Sequence, residues 1–126
     1  KRLDMIKLAL ADTPAAPPQL AADADAIAAR LDAILRALRG DRAIARRNEP
    51  TPTAIVERAQ SVVDDGFAAT AAPTQTQRDA YAIASAALTE ELAKLRALVA
   101  TDLAALERAM EAAGAPWTPG RLPEWK

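Results

Sequence analysis

The sequence predicts an all-α fold: an antiparallel three-helix bundle with one long helix, a short N-terminal leader helix and an extended Pro- and Trp-bearing C-terminal tail. Three observations predict it. Alanine, the strongest helix former, occupies 34 of the 126 positions. Apolar residues recur at three- and four-residue spacing through three long segments. The four glycines and nine prolines, which interrupt helices, fall at the ends of those segments and between them. A hydrophobic content of 51% suffices for one modest core, so residues 1–126 are expected to form a single helical domain.

The leader helix, 1–11, carries Leu3, Ile6, Leu8 and Leu10 among charges and ends before Asp12, Thr13 and Pro14. The first main helix, 18–39, follows a Pro-rich connector. Its stripe of Leu20, Ala24, Ile27, Leu31, Ile34 and Leu38 has spacings of 4, 3, 4, 3 and 4. Asp23 and Asp25 lie in its opening turns, Arg36 and Arg39 in its last, and Gly40 stands where a left-handed terminator belongs.

Residues 41–50 read as a polar, Arg-rich connector. The second main helix is expected over 52–65, capped by Thr51, started by Pro52 and stopped by Gly66, with Ile55, Val56, Ala59, Val62 and Val63 on one face. The third opens on the capping box Thr74-Gln75-Thr76-Gln77 and meets no Gly or Pro before residue 113. At 75–113 it spans about 39 residues, or about 58 Å. Its expected stripe is Tyr81, Ala84, Leu88, Leu92, Leu95, Val99, Leu103, Leu106, Met110 and Ala113, near an eleven-residue repeat that keeps a helix almost straight. The expected core is Leu31, Ile34, Leu38, Val62, Leu88, Leu92, Leu95 and Leu103. Because the long helix outreaches the other two, part of its stripe must meet the leader helix, the tail or something outside the chain. The tail, 114–126, holds Pro116, Pro119 and Pro123 with Trp117 and Trp125, and reads as extended, each tryptophan anchoring to an apolar surface.

Composition removes most chemistry. Without Cys there is no thiolate nucleophile or Cys-ligated metal, and without His the commonest acid/base group and metal ligand are missing. The pairs Asp64-Asp65 and Glu90-Glu91 point in different directions on their helices, and no carboxylate interrupts the expected stripes, so they read as solvated faces. Ser61 and Ser85 have no base nearby in the pattern. No catalytic, cofactor or metal residues are expected, and the chain is not expected to be an enzyme. Sixteen Lys and Arg against seventeen Asp and Glu give a net charge of -1, without the basic excess of a nucleic-acid binder. No apolar run reaches the roughly 18 to 20 residues of a membrane span, and the first residues are too short and charged for a signal peptide.

The residues left for interaction are Arg42, Arg46 and Arg47 in the connector, and Trp117, Arg121 and Trp125 in the tail. Six Arg and two Asp between Arg30 and Arg47 could hold an acidic ligand, or could simply offset a helix dipole and pair with Glu49, Asp64 or Asp65. The tripeptide Arg39-Gly40-Asp41 is too short a match to signal adhesion when Gly40 already serves as helix terminator.

Three strings, Ala37 to Pro52 (ALRGDRAIARRNEPTP), Pro73 to Tyr81 (PTQTQRDAY) and Gly114 to Trp125 (GAPWTPGRLPEW), resemble the C-terminal helical region of bacterial sortilin-type proteins. These are large BNR-repeat β-propeller proteins, often labelled glycosyl hydrolase-like. The resemblance implies a helical accessory domain that follows a propeller in a larger, exported or cell-envelope protein, with the upstream domain as its partner. No glycosidase site is implied, because no acidic pair here matches one. The resulting expectation is a non-catalytic structural or interaction domain. The alternative is an autonomous adaptor that binds a partner protein through the uncovered stripe of the long helix and the Arg-rich connector. A homo-oligomer is left open.

Overall fold

The computed structural model describes residues 1–47, 49–68 and 72–120, with 67 and 68 by backbone alone. Most of the described residues are helical, with no strand among them. In order they form α1 (Arg2–Ala11), α2 (Pro18–Arg39), a one-turn α3 (Arg42–Ala45), α4 (Ile55–Ala68), α5 (Gln75–Ala97), a π-helical segment (Leu98–Leu103) and α6 (Ala104–Ala112). The chain divides into two compact units. Lys1–Leu31 with Arg96–Lys126 make the terminal unit, and Asp32–Leu95 the central unit.

The terminal unit has the larger core. From α1 it buries Leu3, Ile6, Ala9 and Leu10, from α2 Leu20, Ala24 and Ile27, and from the end of the long helical path Leu98, Leu103, Leu106 and Met110. Ile6 and Met110 are wholly enclosed, each worth about 1.5–3 kcal/mol for the burial. The leader helix therefore covers the far end of the long helix's stripe, one of the three covers that the length mismatch left open. Arg2 fixes this contact: its Nε donates to Glu107 Oε1 at 2.9 Å and its second terminal nitrogen lies 2.6 Å from the same oxygen. Lys7 reaches Asp25 of α2 at 2.6 Å. The α1 end is tied off by Thr13, whose hydroxyl donates to the Ala9 carbonyl at 2.7 Å.

The long helical path departs from the straight helix expected of it. A regular α-helix presenting Leu98 to the core would next present Asp102, four residues on. The π turn over Leu98–Leu103 adds one residue, so that Leu103 takes the inward place, followed by Leu106 and Met110. Asp102 moves to the side and meets Arg30 at 2.7 Å. Val99, expected inside, is exposed, and Leu98 replaces it. The path ends in a Schellman arrangement: Ala115 N–H donates to Met110 C=O and Gly114 N–H to Glu111 C=O, with Gly114 at φ +71°.

Among the described residues of the central unit, Ile34, Ala54 and Ala84 are buried. Of the other expected core residues, Leu38, Val62 and Leu95 are half-buried here, as is Leu31 at the edge of the terminal unit. The expected core residues Leu88 and Leu92 are instead exposed, at 39% and 38%. The reason is register. The covered face of α5 runs Gln77, Ala80, Ala84, Ala87, Glu91 and Leu95. Tyr81, Leu88 and Leu92 lie about 80° around the helix from it. On α4, Ile55 and Val62 are half-buried while Val56, Ala59 and Val63 face out, so only part of the expected apolar face is covered.

Local signals locate the other ends. Thr74 Oγ1 accepts from Gln77 N–H at 3.3 Å and Gln77 Oε1 accepts from Thr74 N–H at 2.7 Å, which is the expected capping box. α2 ends at Arg39 with Gly40 at φ +77°, its N–H donating to Arg36 C=O at 2.8 Å. The second main helix is corrected at both ends: α4 starts at Ile55, leaving Thr51 and Pro52 outside, and runs through Gly66 to Ala68. Pro50, Pro52 and the threonines beside them favour extended backbone, which delays the start.

Candidate functional site

The site candidates follow from what the two helix ends around Gly40 do. The left-handed Gly40 turns the chain out of α2, and Asp41 then starts α3: its Oδ1 accepts from Ala43 N–H at 2.9 Å and Ile44 N–H at 3.3 Å. The Asp of the Arg-Gly-Asp tripeptide is thus engaged as a helix cap. Part of the expected connector is consequently helical, a turn that one Asp before Arg42-Ala43-Ile44 announces only weakly.

This turn sets Arg39, in the last turn of α2, and Arg42, the first residue of α3, on one wall of an open groove of about 550 Å³. The opposite wall is α4, which supplies Val56, Glu57, Gln60, Ser61 and Asp64, with Ala54 at the base. Val56 is 53% exposed there. Gln60 Nε2 donates to Asp64 Oδ1 at 2.8 Å. Among the described residues, neither Arg39, Arg42 nor Glu57 enters an ion pair within 4 Å. The groove therefore carries unpaired charge of both signs over an apolar base.

Of the described interaction residues expected from sequence, only Arg42 lines this groove. Arg46 closes the C-terminal end of α3 with its backbone N–H on Arg42 C=O at 3.2 Å, its side chain exposed. Arg47 pairs loosely with Glu49 at 3.7 Å. Trp117 belongs to the terminal unit and is 58% exposed, so it does not pack back as the buried anchor of the tail; Ala115 and Thr118 take that place. The Thr118 hydroxyl is buried with no hydrogen-bond partner among the described residues. Arg121 and Trp125 lie outside the described residues. Sequence reasoning counted Arg39 in the Arg-rich stretch and Asp64 as a pairing partner for it without singling either out, and missed Val56 and Glu57; the seven-residue spacing of Glu57 and Asp64 on one helix flank was the available signal.

Two further features bear on chemistry. Glu91 is a correction to the expectation that no carboxylate interrupts the covered faces, since it sits within that of α5 with its side chain only 13% exposed. Lys94 bridges it and Glu90, both at 2.8 Å. The hydrogen bonds to Glu90 and Glu91 push the Lys94 ammonium up to about 12, and the same bond holds the Glu90 carboxyl below its ordinary value. In the terminal unit a second hollow of about 420 Å³ lies over Ala26, Ala105 and Ala109 beside the Arg30–Asp102 pair. Among the described residues no three acidic side chains converge to hold a metal ion, and no helix is long and apolar enough to cross a membrane. Comparison of the chain with protein-family models, with curated proteins and with solved structures finds no match in any of the three.

Proposed function

We propose that the chain is a non-catalytic interaction domain, a three-helix bundle of α2, α4 and the α5–α6 path, accessory to an upstream β-propeller in a larger repeat protein. The observation that carries this reading is the unfilled face of the central unit. Tyr81, Leu88 and Leu92 share one flank of α5 and remain exposed, Tyr81 at 64%, while the buried residues among those described in that unit are Ile34, Ala54 and Ala84. Large apolar side chains aligned on one helix flank, without a covering element among the described residues, are what a docked neighbour covers. The absence of His and Cys supports a non-catalytic role, and the three sequence strings support the propeller as the neighbour.

The test is to recover the reading frame upstream of Lys1 and express its domain separately. The accessory reading expects a propeller that binds the 126-residue chain in trans, with Leu88→Asp plus Leu92→Asp weakening binding at least about tenfold. An upstream region that is no propeller, or one that binds the double variant as well as the parent, would overturn it.

The same exposed flank favours a second reading, an autonomous adaptor that takes an amphipathic helix of another protein through this flank and the Arg-rich segment. It expects the isolated chain to bind one partner saturably with no upstream domain present. Titration with separately made candidate helices, followed by Tyr81 and Trp117 fluorescence, distinguishes it from the accessory reading.

A further inference from the structure

We infer that the groove between Arg39, Arg42 and α4 is closed by a second copy of this chain, in a two-fold dimer that pairs the Arg wall of one protomer with Glu57 and Asp64 of the other. The inference concerns a different surface from the α5 flank and needs no upstream propeller.

Charge selects the occupant. Arg39 and Arg42 stand on one wall and Glu57 and Asp64 on the other. Among the described residues, neither arginine nor Glu57 is in an ion pair within 4 Å. An acidic peptide laid in this groove meets two carboxylates, and a basic one meets two guanidinium groups, so either gains on one wall what it loses on the other. A surface with opposite charges on its two sides is instead complementary to itself after a half-turn, the condition for an isologous contact. The apolar part fits the same occupant: Val56 and Val63, seven residues apart on one face of α4, are 53% and 47% exposed and gain cover in the dimer. A net charge of -1 leaves no long-range repulsion between copies. The expected dimer is a transient one, with a dissociation constant of about 1–100 μM.

Sedimentation equilibrium of the full 126-residue chain across that range, at low and high salt, provides the test. The expected result is a concentration-dependent dimer that weakens as salt rises. Arg39→Glu with Arg42→Glu raises the dissociation constant about tenfold or more, and so does Glu57→Arg with Asp64→Arg. The fourfold variant carrying all these changes keeps the net charge and restores the dimer to within about threefold. All four side chains are exposed, and an unchanged helical circular dichroism spectrum verifies each variant's fold. A chain that stays monomeric throughout, whether or not it captures a charged helix, overturns the proposal. So does a dimer indifferent to both reversals, or one that the fourfold swap fails to restore in a folded variant.

Discussion

The terminal and central units are made of the same kind of helix, yet among the described residues one encloses Leu3, Ile6, Leu10, Leu20, Ile27, Leu98, Leu103, Leu106 and Met110 while the other buries Ile34, Ala54 and Ala84. The difference lies in which residues occupy inward positions. In the terminal unit these are mostly Leu, Ile and Met. On the covered face of α5 in the central unit they are Ala80, Ala84 and Ala87, with Glu91 among them. Hydrophobic stabilisation scales with apolar area at about 25 cal/mol per Å², so a turn of alanine contributes far less than a turn of leucine. Tyr81, Leu88 and Leu92 of α5 consequently remain on its flank. Among the described residues most of the apolar burial is in the terminal unit, while in the central unit Tyr81, Leu88 and Leu92 stay exposed on one flank and the groove charges are unpaired.

Truncations in the two cores should break this symmetry of helical content most strongly. Met110→Ala or Ile6→Ala removes a wholly enclosed side chain and should cost about 2–5 kcal/mol in denaturant unfolding. Leu92→Ala, at 38% exposure, should cost about 1 kcal/mol or less. Equal losses at Met110 and Leu92 would mean that the central unit is packed as tightly as the terminal one.

Two glycines sharpen the contrast with opposite signs. Gly114 ends the long helical path at φ +71°, so Gly114→Ala should destabilise by about 1–2 kcal/mol. Gly66 lies inside α4 and a Cβ there meets nothing within 4 Å, so Gly66→Ala should stabilise by about 0.5–1 kcal/mol. Thermal melts of both variants read the two signs.

The smallest effect is electrostatic. Lys94 titrates at about 12 when folded, above its ordinary value, because Glu90 and Glu91 hydrogen-bond its ammonium. Its contribution is complete below the ordinary lysine range and fades as pH rises through about 12. Glu90, held below its ordinary value, contributes above the carboxylate range and loses that contribution as pH falls through its lowered value. In an NMR titration, replacing both Glu90 and Glu91 by Gln should bring the Lys94 midpoint down toward 10.5.

Much of the helical plan was legible in the sequence, and the reasons it was not legible elsewhere are local. The limits of α1 and α2, the Gly40 terminator and the Thr74–Gln77 box were readable because caps act within one turn. The inward face of α5 was not, because leucine marks a stripe in any hydrophobic pattern whereas alanine is nearly silent, and here alanine faces in. The π turn at Leu98–Leu103 leaves no composition signal; it shows only as a five-residue gap between two buried leucines with an aspartate in the regular position. Of the groove's lining residues, Arg42 was singled out by the density of arginine. The groove itself was not, since it depends on the chain reversing at Gly40 and on α4 starting three residues later than Thr51 and Pro52 suggested.

The asymmetry between the units is tested most directly by residue-resolved amide hydrogen exchange on the full chain, at concentrations low enough to keep it monomeric. Amides of Ile27, Leu106 and Met110 are expected to exchange only through global unfolding, with those of Val56 to Val63 in α4 opening at a distinctly lower free energy. Protection of α4 equal to that of α6 under those conditions would contradict the account.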